Sequence, residues 1–211
     1  MSDFDNSGFI RAHLRPAPLA LVPEIRLYQA HPGSGLARLG DAPPYWAHAW
    51  AGGVALARHL LDHPGLVRGH RVLDLGAGSG LVGIAAALAG APSVTCAEID
   101  AAGRAAIGLN AALNGVDVTL SAEDMLEGPV PDADLVLVGD LFYDPDLADR
   151  VSLFLARCHA AGRAALIGDP GRAFLPQSLL RHVASYPIRD FGEGPDGPTR
   201  PGGVFVFKAF G

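Results

Sequence analysis

A glycine-rich turn that contains an aspartate is the feature of this chain that points most directly to chemistry. Residues 74–80 read Asp-Leu-Gly-Ala-Gly-Ser-Gly, between an apolar run that ends at Leu73 and another that begins at Leu81. This pattern predicts a strand, a turn and a helix, because glycine lets the backbone turn sharply and lets a ligand approach closely. A dinucleotide-binding fingerprint would have a third glycine where Leu81 stands. Asp74 in the turn disfavours a pyrophosphate and suits a ligand with an ammonium group.

A second acid follows at a distance typical of ribose recognition. Glu98 lies at the end of the next predicted strand, about 20 residues beyond the turn, where an acid binds the hydroxyl groups of a ribose. Together these residues indicate a nucleoside ligand that is cationic and lacks phosphates, and S-adenosylmethionine fits this description. Two other interpretations remain open. One is NAD, against which the missing glycine and Asp74 count, and the other is an ordinary strand-to-helix turn without a ligand.

A scaffold must bring these strand ends together, and the pattern of the chain predicts one. We expect strands at residues 71–75, 93–98, 116–121, 133–139, 164–167, 186–191 and 204–210, and helices at 50–61, 81–89, 101–113, 145–160 and 176–184. Strands that alternate with helices predict an α/β, Rossmann-like, doubly wound sheet of seven strands that is mostly parallel. The last two strands have no helix between them, so we expect an antiparallel C-terminal hairpin.

The N-terminal part of the chain differs in composition and is rich in proline. Residues 1–45 are expected to form a small extension, with a hairpin between residues 24–29 and 36–39. Residues 46–211 are then the ligand-binding domain.

Five predicted strand ends carry polar loops, and ligands of such sheets bind beyond the carboxyl ends of the strands. These loops hold residues 76–80, Glu98, Asp124, Asp140 and Asp169. Asp124 is suited to accept a hydrogen bond from an adenine amino group, with Met125 against the ring. Its alternatives are a helix cap or a solvated loop acid.

The acid at the end of the fourth predicted strand is the candidate catalytic group. Residues 139–144 read Gly-Asp-Leu-Phe-Tyr-Asp, and a carboxylate directly after a buried strand is costly unless it has a partner or a function. Asp140 is suited to hold an amine in line with a sulfonium methyl group between the aromatic faces of Phe142 and Tyr143, while water or the carboxylate takes the proton. Most of the acceleration would come from positioning two substrates. Asp144 precedes a proline and is expected to cap the next helix.

Three further features have two interpretations each. Trp50 is expected either to form a wall over the ligand or to anchor the core. Arg172, in the segment Asp-Pro-Gly-Arg at residues 169–172, is expected either to contact a substrate carboxylate or to pair with a neighbouring acid. His59 and His63 share a helix face, but no third ligand is evident, so a solvated helix face is expected rather than a metal site.

Composition limits the class of protein. The 211 residues are 49% hydrophobic and 18% charged, which is typical of one globular domain. The net charge of −6 argues against nucleic-acid binding and is compatible with a basic substrate surface. Cys96 and Cys158 are expected to be buried thiols in a reducing compartment. No secretory signal or membrane-spanning run is evident, so we expect a cytoplasmic protein without membrane partners.

Several segments resemble a known family. Residues 72–80 (Val-Leu-Asp-Leu-Gly-Ala-Gly-Ser-Gly) resemble motif I of the class I, seven-β-strand S-adenosylmethionine-dependent methyltransferases. The segments 44–53, 139–144 and 167–172 resemble the narrower group of electron transfer flavoprotein beta subunit lysine methyltransferases and their bacterial relatives. The resemblance covers nearly the whole chain. Glu98 departs from it mildly, because an aspartate is more usual there.

The resemblance implies a monomeric enzyme that transfers methyl from S-adenosyl-L-methionine to exposed lysines of a protein and releases S-adenosyl-L-homocysteine. The electron transfer flavoprotein beta subunit is the expected substrate. A small-molecule (nicotinamide-type) N-methyltransferase, a ribosomal-protein methyltransferase and a cofactor-binding module without catalysis remain alternatives. The predicted catalytic residues are Asp140, Phe142 and Tyr143, and no metal is expected. The predicted cofactor-binding residues are Trp50, Asp74, Gly76, Ala77, Gly78, Ser79, Gly80, Glu98, Ile99, Asp124, Met125 and Asp140.

Overall fold

A seven-stranded sheet forms the centre of the protein. The structure is a computed structural model that describes residues 5–39, 43–189 and 197–208. The strands are β1 (Arg15–Pro18), β2 (Arg26–Gln29), β3 (Arg71–Leu75), β4 (Ser93–Ala97), β5 (Thr119–Ser121), β6 (Leu135–Gly139), β7 (Ala164–Asp169), β8 (Leu180–Ile188) and β9 (Arg200–Phe207). The helices are α1 (Asn6–His13), α2 (Ala51–Asp62), α3 (Leu81–Leu88), α4 (Ala101–Leu113) and α5 (Pro145–Ala160).

The order of the large sheet is β5-β4-β3-β6-β7-β9-β8, and helices cover both of its faces. Strands β3 to β7 are parallel, whereas β9 lies antiparallel between β7 and β8. Successive residues of β3 point to opposite faces, so Val72 packs with α2, α3 and α4 while Leu73 packs with α5. The predicted doubly wound sheet with an antiparallel C-terminal hairpin is confirmed.

The predicted bounds agree best where the hydrophobic pattern is longest. The strand β3 and the helices α4 and α5 have the predicted ends, and β5 and β6 are two or three residues shorter than predicted at their starts. The strand predicted at 186–191 begins at Leu180, and its residues 190 and 191 lie outside the described residues. The strand predicted at 204–210 belongs to β9, and residues 209 and 210 also lie outside.

The predicted pairing of the N-terminal hairpin is wrong. The strand β2 pairs with β1, so that Pro16 lies opposite Tyr28, whereas Leu36–Leu39 form a 3-10 turn. Two of the four residues of β1 are prolines, which lack the N–H that a strand donates, but both strands of a two-stranded sheet are edges, where a missing N–H is tolerated. The helix α1 was not predicted either, although Asp5 caps it by accepting a hydrogen bond from Gly8 N–H at 2.8 Å.

The predicted helix at 176–184 is also wrong. Only Gln177–Leu179 form a 3-10 turn, and the chain then continues as β8 against β9. The register of β8 shifts between His182 and Ala184. This bulge interrupts the alternation of a strand, so apolar residues at 179, 180, 183 and 184 mimic the spacing of a helix.

The N-terminal extension packs on α4. Ile10 and Leu14 share an apolar cluster with Trp46 and Ala102. The division of the chain at residue 45 stays a prediction.

The solvated helix face expected for His59 is wrong, because this residue is buried. Its Nδ1 lies 3.0 Å from the hydroxyl oxygen of Tyr186, and its ring centroid is 4.4 Å from that of the exposed His63. Burial lowers the pKa of His59. Within the described ranges, no group of three or more His, Cys, Asp or Glu residues is arranged to hold a metal ion. No described helix is long and apolar enough to cross a membrane.

The first turn of α2 crosses the end of β7 with the two backbones in contact. A Cβ built on Gly168 would overlap the carbonyl oxygen of Gly52 and lie 2.7 Å from the Cβ of Leu56. Glycine at this position therefore lets α2 reach the carboxyl edge of the sheet, next to Asp140.

We expect Gly168→Ala to destabilise the protein by about 1–3 kcal/mol, because the added methyl group forces α2 away from β7. Gly108→Ala is the control, since Gly108 lies on the exposed side of α4 and a Cβ there meets no atom within 4 Å among the described residues. That control should stabilise the protein by about 0.5–1 kcal/mol through helix propensity. Urea unfolding measures both, and equal stability of the two variants would contradict the packing described.

Candidate active site

A cavity of about 600 Å³ opens at the carboxyl ends of β3, β4 and β6. Nine of the predicted site residues line it: Trp50, Gly76, Gly78, Glu98, Ile99, Asp124, Met125, Asp140 and Tyr143. The lining contains five carboxyl side chains (Glu98, Asp100, Glu123, Asp124 and Asp140) and two guanidinium groups (Arg150 and Arg172). This excess of negative charge suits a cationic ligand.

The glycine turn between β3 and α3 forms one wall of this cavity. Gly76, Gly78 and Gly80 have φ angles of 62°, 54° and 81°, a left-handed conformation that is costly for residues with a Cβ. Gly80 N–H donates a hydrogen bond to the carbonyl of Ala77 at 2.7 Å. Gly78 N–H donates to Oε2 of Glu98 at 2.8 Å. The turn and Glu98 are therefore held together as one unit.

Asp74 lies behind the turn rather than on the cavity. Its buried Oδ2 accepts a hydrogen bond from Gly83 N–H, in the first turn of α3, at 2.7 Å. Gly80, which precedes α3, has no side chain to cap that helix, so Asp74 caps it from the adjacent strand. Burial raises the pKa of Asp74 to about 7. The structure thus places Asp74 where it holds the helix and the turn.

Other predicted residues also lie away from the cavity surface. Ala77, Ser79 and Gly80 belong to the turn but are absent from the lining formed by the described residues. Phe142 is fully buried in the core beneath α5, so its ring does not face the cavity.

Asp140 is a buried acid at the cavity edge with two strong partners. Its φ angle is 62°, which is rare for a residue with a side chain and marks local strain. Its Oδ2 accepts a hydrogen bond from Gly52 N–H, in the first turn of α2, at 2.8 Å. Its Oδ1 accepts one from Nε of Arg172 at 2.7 Å. A helix N-terminus and a guanidinium both stabilise the negative charge of this carboxylate.

Asp169, at the end of β7, positions that guanidinium. Its Oδ1 accepts hydrogen bonds from the backbone N–H groups of Gly171 and Arg172, both at 2.7 Å. The resulting turn presents Arg172 to Asp140, so of the two interpretations of Arg172 the structure shows the pairing with a neighbouring acid. Burial raises the pKa of Asp169 to about 6.

Two tyrosines stand at the mouth of the cavity. The ring centroids of Tyr45 and Tyr143 are 5.4 Å apart, and both residues are nearly half exposed. Trp50 supports Tyr45, because its Nε1 donates a hydrogen bond to the Tyr45 carbonyl at 2.7 Å. The aromatic wall predicted from Phe142 and Tyr143 is therefore built from Tyr143, Tyr45 and Trp50.

Asp124 is a loop acid that also lies on the cavity surface, where a ligand could reach it. Its Oδ1 accepts a hydrogen bond from Leu126 N–H at 3.0 Å, and its other oxygen pairs with Arg150 on α5. The residue also lines the cavity, beside Met125. Sequence reasoning missed Arg150, since only the folded chain shows which side of α5 faces the loop after β5.

Asp74 should make stability depend on pH between its ordinary pKa of 3.8 and its folded-state pKa of about 7. The folded protein keeps this proton over that range while the unfolded chain releases it, so the free energy of unfolding falls as pH rises. Relative to Asp74→Asn, the free energy of unfolding of wild type should fall by up to about 1.4 kcal/mol per pH unit as pH rises. This difference between the two proteins should level off above about pH 7. Urea unfolding of both proteins from pH 4 to pH 8 measures it. A difference independent of pH would contradict the assigned burial of this acid.

Comparison with known proteins identifies the relatives of this chain. The model of the family ribosomal protein L11 methyltransferase (PrmA) matches residues 57–141. The electron transfer flavoprotein beta subunit lysine methyltransferase of Xenopus laevis is 41% identical over 196 residues, which cover 87% of this chain and 79% of that protein. The rat protein of the same name is 44% identical over 141 residues, 66% of this chain. The match spans only about half of the rat protein, 55%.

Solved structures agree on the fold. The magnesium protoporphyrin IX methyltransferase of Synechocystis, solved with bound S-adenosylmethionine, superposes with a TM-score of 0.51 at 16% identity and covers 72% of this chain and 76% of that one. The prediction of the class I methyltransferase fold is confirmed. The sequence similarity to the Xenopus laevis protein is high and extends over most of both chains. The chain therefore belongs to the family of electron transfer flavoprotein beta subunit lysine methyltransferases.

Proposed function

We propose that this protein transfers a methyl group from S-adenosylmethionine to lysine side chains of a protein, and that the electron transfer flavoprotein beta subunit is its substrate. The observation that carries the proposal is the placement of Asp140, a buried carboxylate at the cavity edge near two exposed tyrosines. The names of the relatives support the choice of acceptor, since several of them are called electron transfer flavoprotein beta subunit lysine methyltransferases.

The residues of the cavity fit S-adenosylmethionine. Glu98 lines the cavity and is held in place by the N–H groups of Gly78 and Asp100, at 2.8 and 2.9 Å. A carboxylate has about four lone-pair sites, so Glu98 retains acceptors for ribose hydroxyl groups. Ile99 and Met125 offer apolar contacts for an adenine ring. When bound, the cofactor supplies a methyl group on a positively charged sulfur, which the acidic lining suits.

The residues of this chain would act on the acceptor by positioning it. A lysine must be a neutral amine to attack, and Asp140 is placed to accept a hydrogen bond from that amine and so direct its lone pair. Arg172 and Gly52 N–H keep the carboxylate from turning away. Tyr45 and Tyr143 offer aromatic faces that bind the lysine chain and its positive charge on entry. The amine proton passes to water or to Asp140, and the gain in rate comes from orientation.

A ribosomal protein is the second candidate substrate. It is favoured by the match of residues 57–141 to the ribosomal protein L11 methyltransferase family. The glycine turn, Glu98 and Asp140 all lie within that match, so it bears on the cofactor site more than on the acceptor.

The direct test incubates the purified protein with labelled S-adenosylmethionine and, separately, the beta subunit or ribosomal protein L11. We expect label on lysines of the beta subunit, located by mass spectrometry. Label on L11 alone would move the assignment to the second candidate. Label that appears only in the small-molecule fraction of a cell extract would contradict a protein acceptor.

Asp140→Asn should lower kcat with the protein acceptor by on the order of 100-fold, because a neutral amide no longer holds and orients the amine. Asp144→Asn is the matched control. Asp144 is exposed and caps α5 by accepting a hydrogen bond from Leu147 N–H at 2.9 Å, a role that asparagine fills equally well. Initial rates at saturating cofactor measure both variants. Wild-type turnover by Asp140→Asn would show that the acceptor site lies elsewhere.

We further propose that the protein works as a cytoplasmic monomer on a protein rather than on nucleic acid. The net charge of −6 supports a protein acceptor with a basic surface. The buried free thiols of Cys96 and Cys158 support a reducing compartment. Light scattering tests the monomer, and fractionation of cells tests the location.

A further inference from the structure

Asn110 joins two segments that are far apart in the chain. It lies on α4 and its side chain is fully buried. Its Oδ1 accepts a hydrogen bond from Tyr28 N–H of β2 at 2.8 Å, and its Nδ2 donates one to the carbonyl of Ser79 at 2.8 Å. The two partners fix the orientation of the amide, because only Oδ1 can face an N–H and only Nδ2 can face a carbonyl.

With the bond from Asn110, both polar groups of one peptide unit in the cofactor-binding turn are hydrogen-bonded. The carbonyl of the Ser79–Gly80 peptide is bound by Asn110, and its N–H donates to the Ala77 carbonyl at 2.7 Å. Both polar groups of this peptide therefore have fixed partners, so its plane cannot rotate without breaking a buried hydrogen bond. The N–H of Gly78, two peptide units earlier in the turn, is bound by Glu98 on the cavity wall.

We propose that Asn110 is a positioning residue for the cofactor-binding turn, and that its own bond to Tyr28 N–H, rather than hairpin docking in general, keeps its amide in the orientation that holds Ser79. A polar side chain buried without partners would be costly, and both of its partners here are backbone groups whose position matters. Tyr28 N–H holds the amide in the orientation that binds Ser79, and Ser79 is next to two left-handed glycines. This inference rests on the proposed function, since it concerns the site that holds S-adenosylmethionine.

Asn114, which directly follows α4 and lies four residues after Asn110, provides an internal control. Its Oδ1 accepts a hydrogen bond from Arg26 N–H at 2.9 Å, and its Nδ2 donates to the Arg26 carbonyl at 2.7 Å. Asn114 therefore docks the same strand β2 with the same chemistry. The third side-chain hydrogen bond goes to the Asn110 carbonyl, so the hydrogen bonds of the Asn114 side chain to described residues are with β2 and α4.

The test compares Asn110→Ala, Asn110→Asp and Asn114→Ala with wild type. Asn110→Ala loses both hydrogen bonds, whereas Asn110→Asp still accepts from Tyr28 N–H but no longer donates to Ser79. We expect both Asn110 variants to raise the dissociation constant for S-adenosylmethionine by about tenfold, measured by calorimetry. In assays with the protein acceptor, KM for the cofactor should rise while KM for the acceptor stays unchanged. Asn114→Ala should lower the melting temperature but leave cofactor affinity unchanged.

Two results would overturn the inference. One is wild-type cofactor affinity in folded Asn110→Asp protein, whose ionised carboxylate accepts from Tyr28 N–H but cannot donate to Ser79. The other is an equal loss of affinity in Asn110→Ala and Asn114→Ala, since that would trace the effect to hairpin docking in general. A wild-type protein that binds no S-adenosylmethionine, or binds it and methylates no protein, would instead refute the proposed function, which separates the two failures.

Discussion

The backbone runs from β3 through three left-handed glycines into the first turn of α3, and side chains from the surrounding elements bind polar groups along this stretch. Glu98 at the end of β4 binds Gly78 N–H, Asn110 on α4 binds the Ser79 carbonyl, and Asp74 on β3 binds the N–H of Gly83. Each contact fixes a different peptide unit. The cavity wall therefore has its shape before a ligand arrives, which lowers the entropic cost of binding. The acidic lining and the aromatic mouth are arranged around this turn.

The neighbouring strands β3 and β6 each supply an acid that binds the first turn of a helix. Asp74 caps α3 and Asp140 caps α2, in both cases through one backbone N–H. Their surroundings differ, because Asp74 is enclosed and its pKa is raised by burial, whereas Asp140 lies at the cavity edge and is paired with Arg172. The same local arrangement thus gives one acid that supports the turn from behind and another that lines the cavity.

Much of the fold could be predicted from periodicity, and the failures have physical causes. The strand β3 and the helices α4 and α5 have long, uninterrupted patterns, so their bounds were predicted correctly. The bulge in β8 interrupts the alternation by which a strand is recognised in sequence. The strand β1 has two prolines among its four residues and so lacks a typical strand pattern. At the site, glycine spacing and acids after strands identified the rim of the cavity. Burial of Asp74 and Phe142 depends on how the helices pack, and the pairing of Arg172 with Asp140 joins two loops, so neither could be read from local sequence.

The roles proposed for Glu98 and Asp140 require the cofactor to bind between these two acids against the glycine turn. A crystal structure of the protein with S-adenosyl-L-homocysteine tests this claim directly. We predict that the ribose hydroxyl groups lie at Glu98, that the turn keeps the conformation of the free protein, and that the sulfur lies on the side of the cavity that Asp140 lines. A cofactor bound outside this cavity, or one whose sulfur faces away from Asp140, would contradict it.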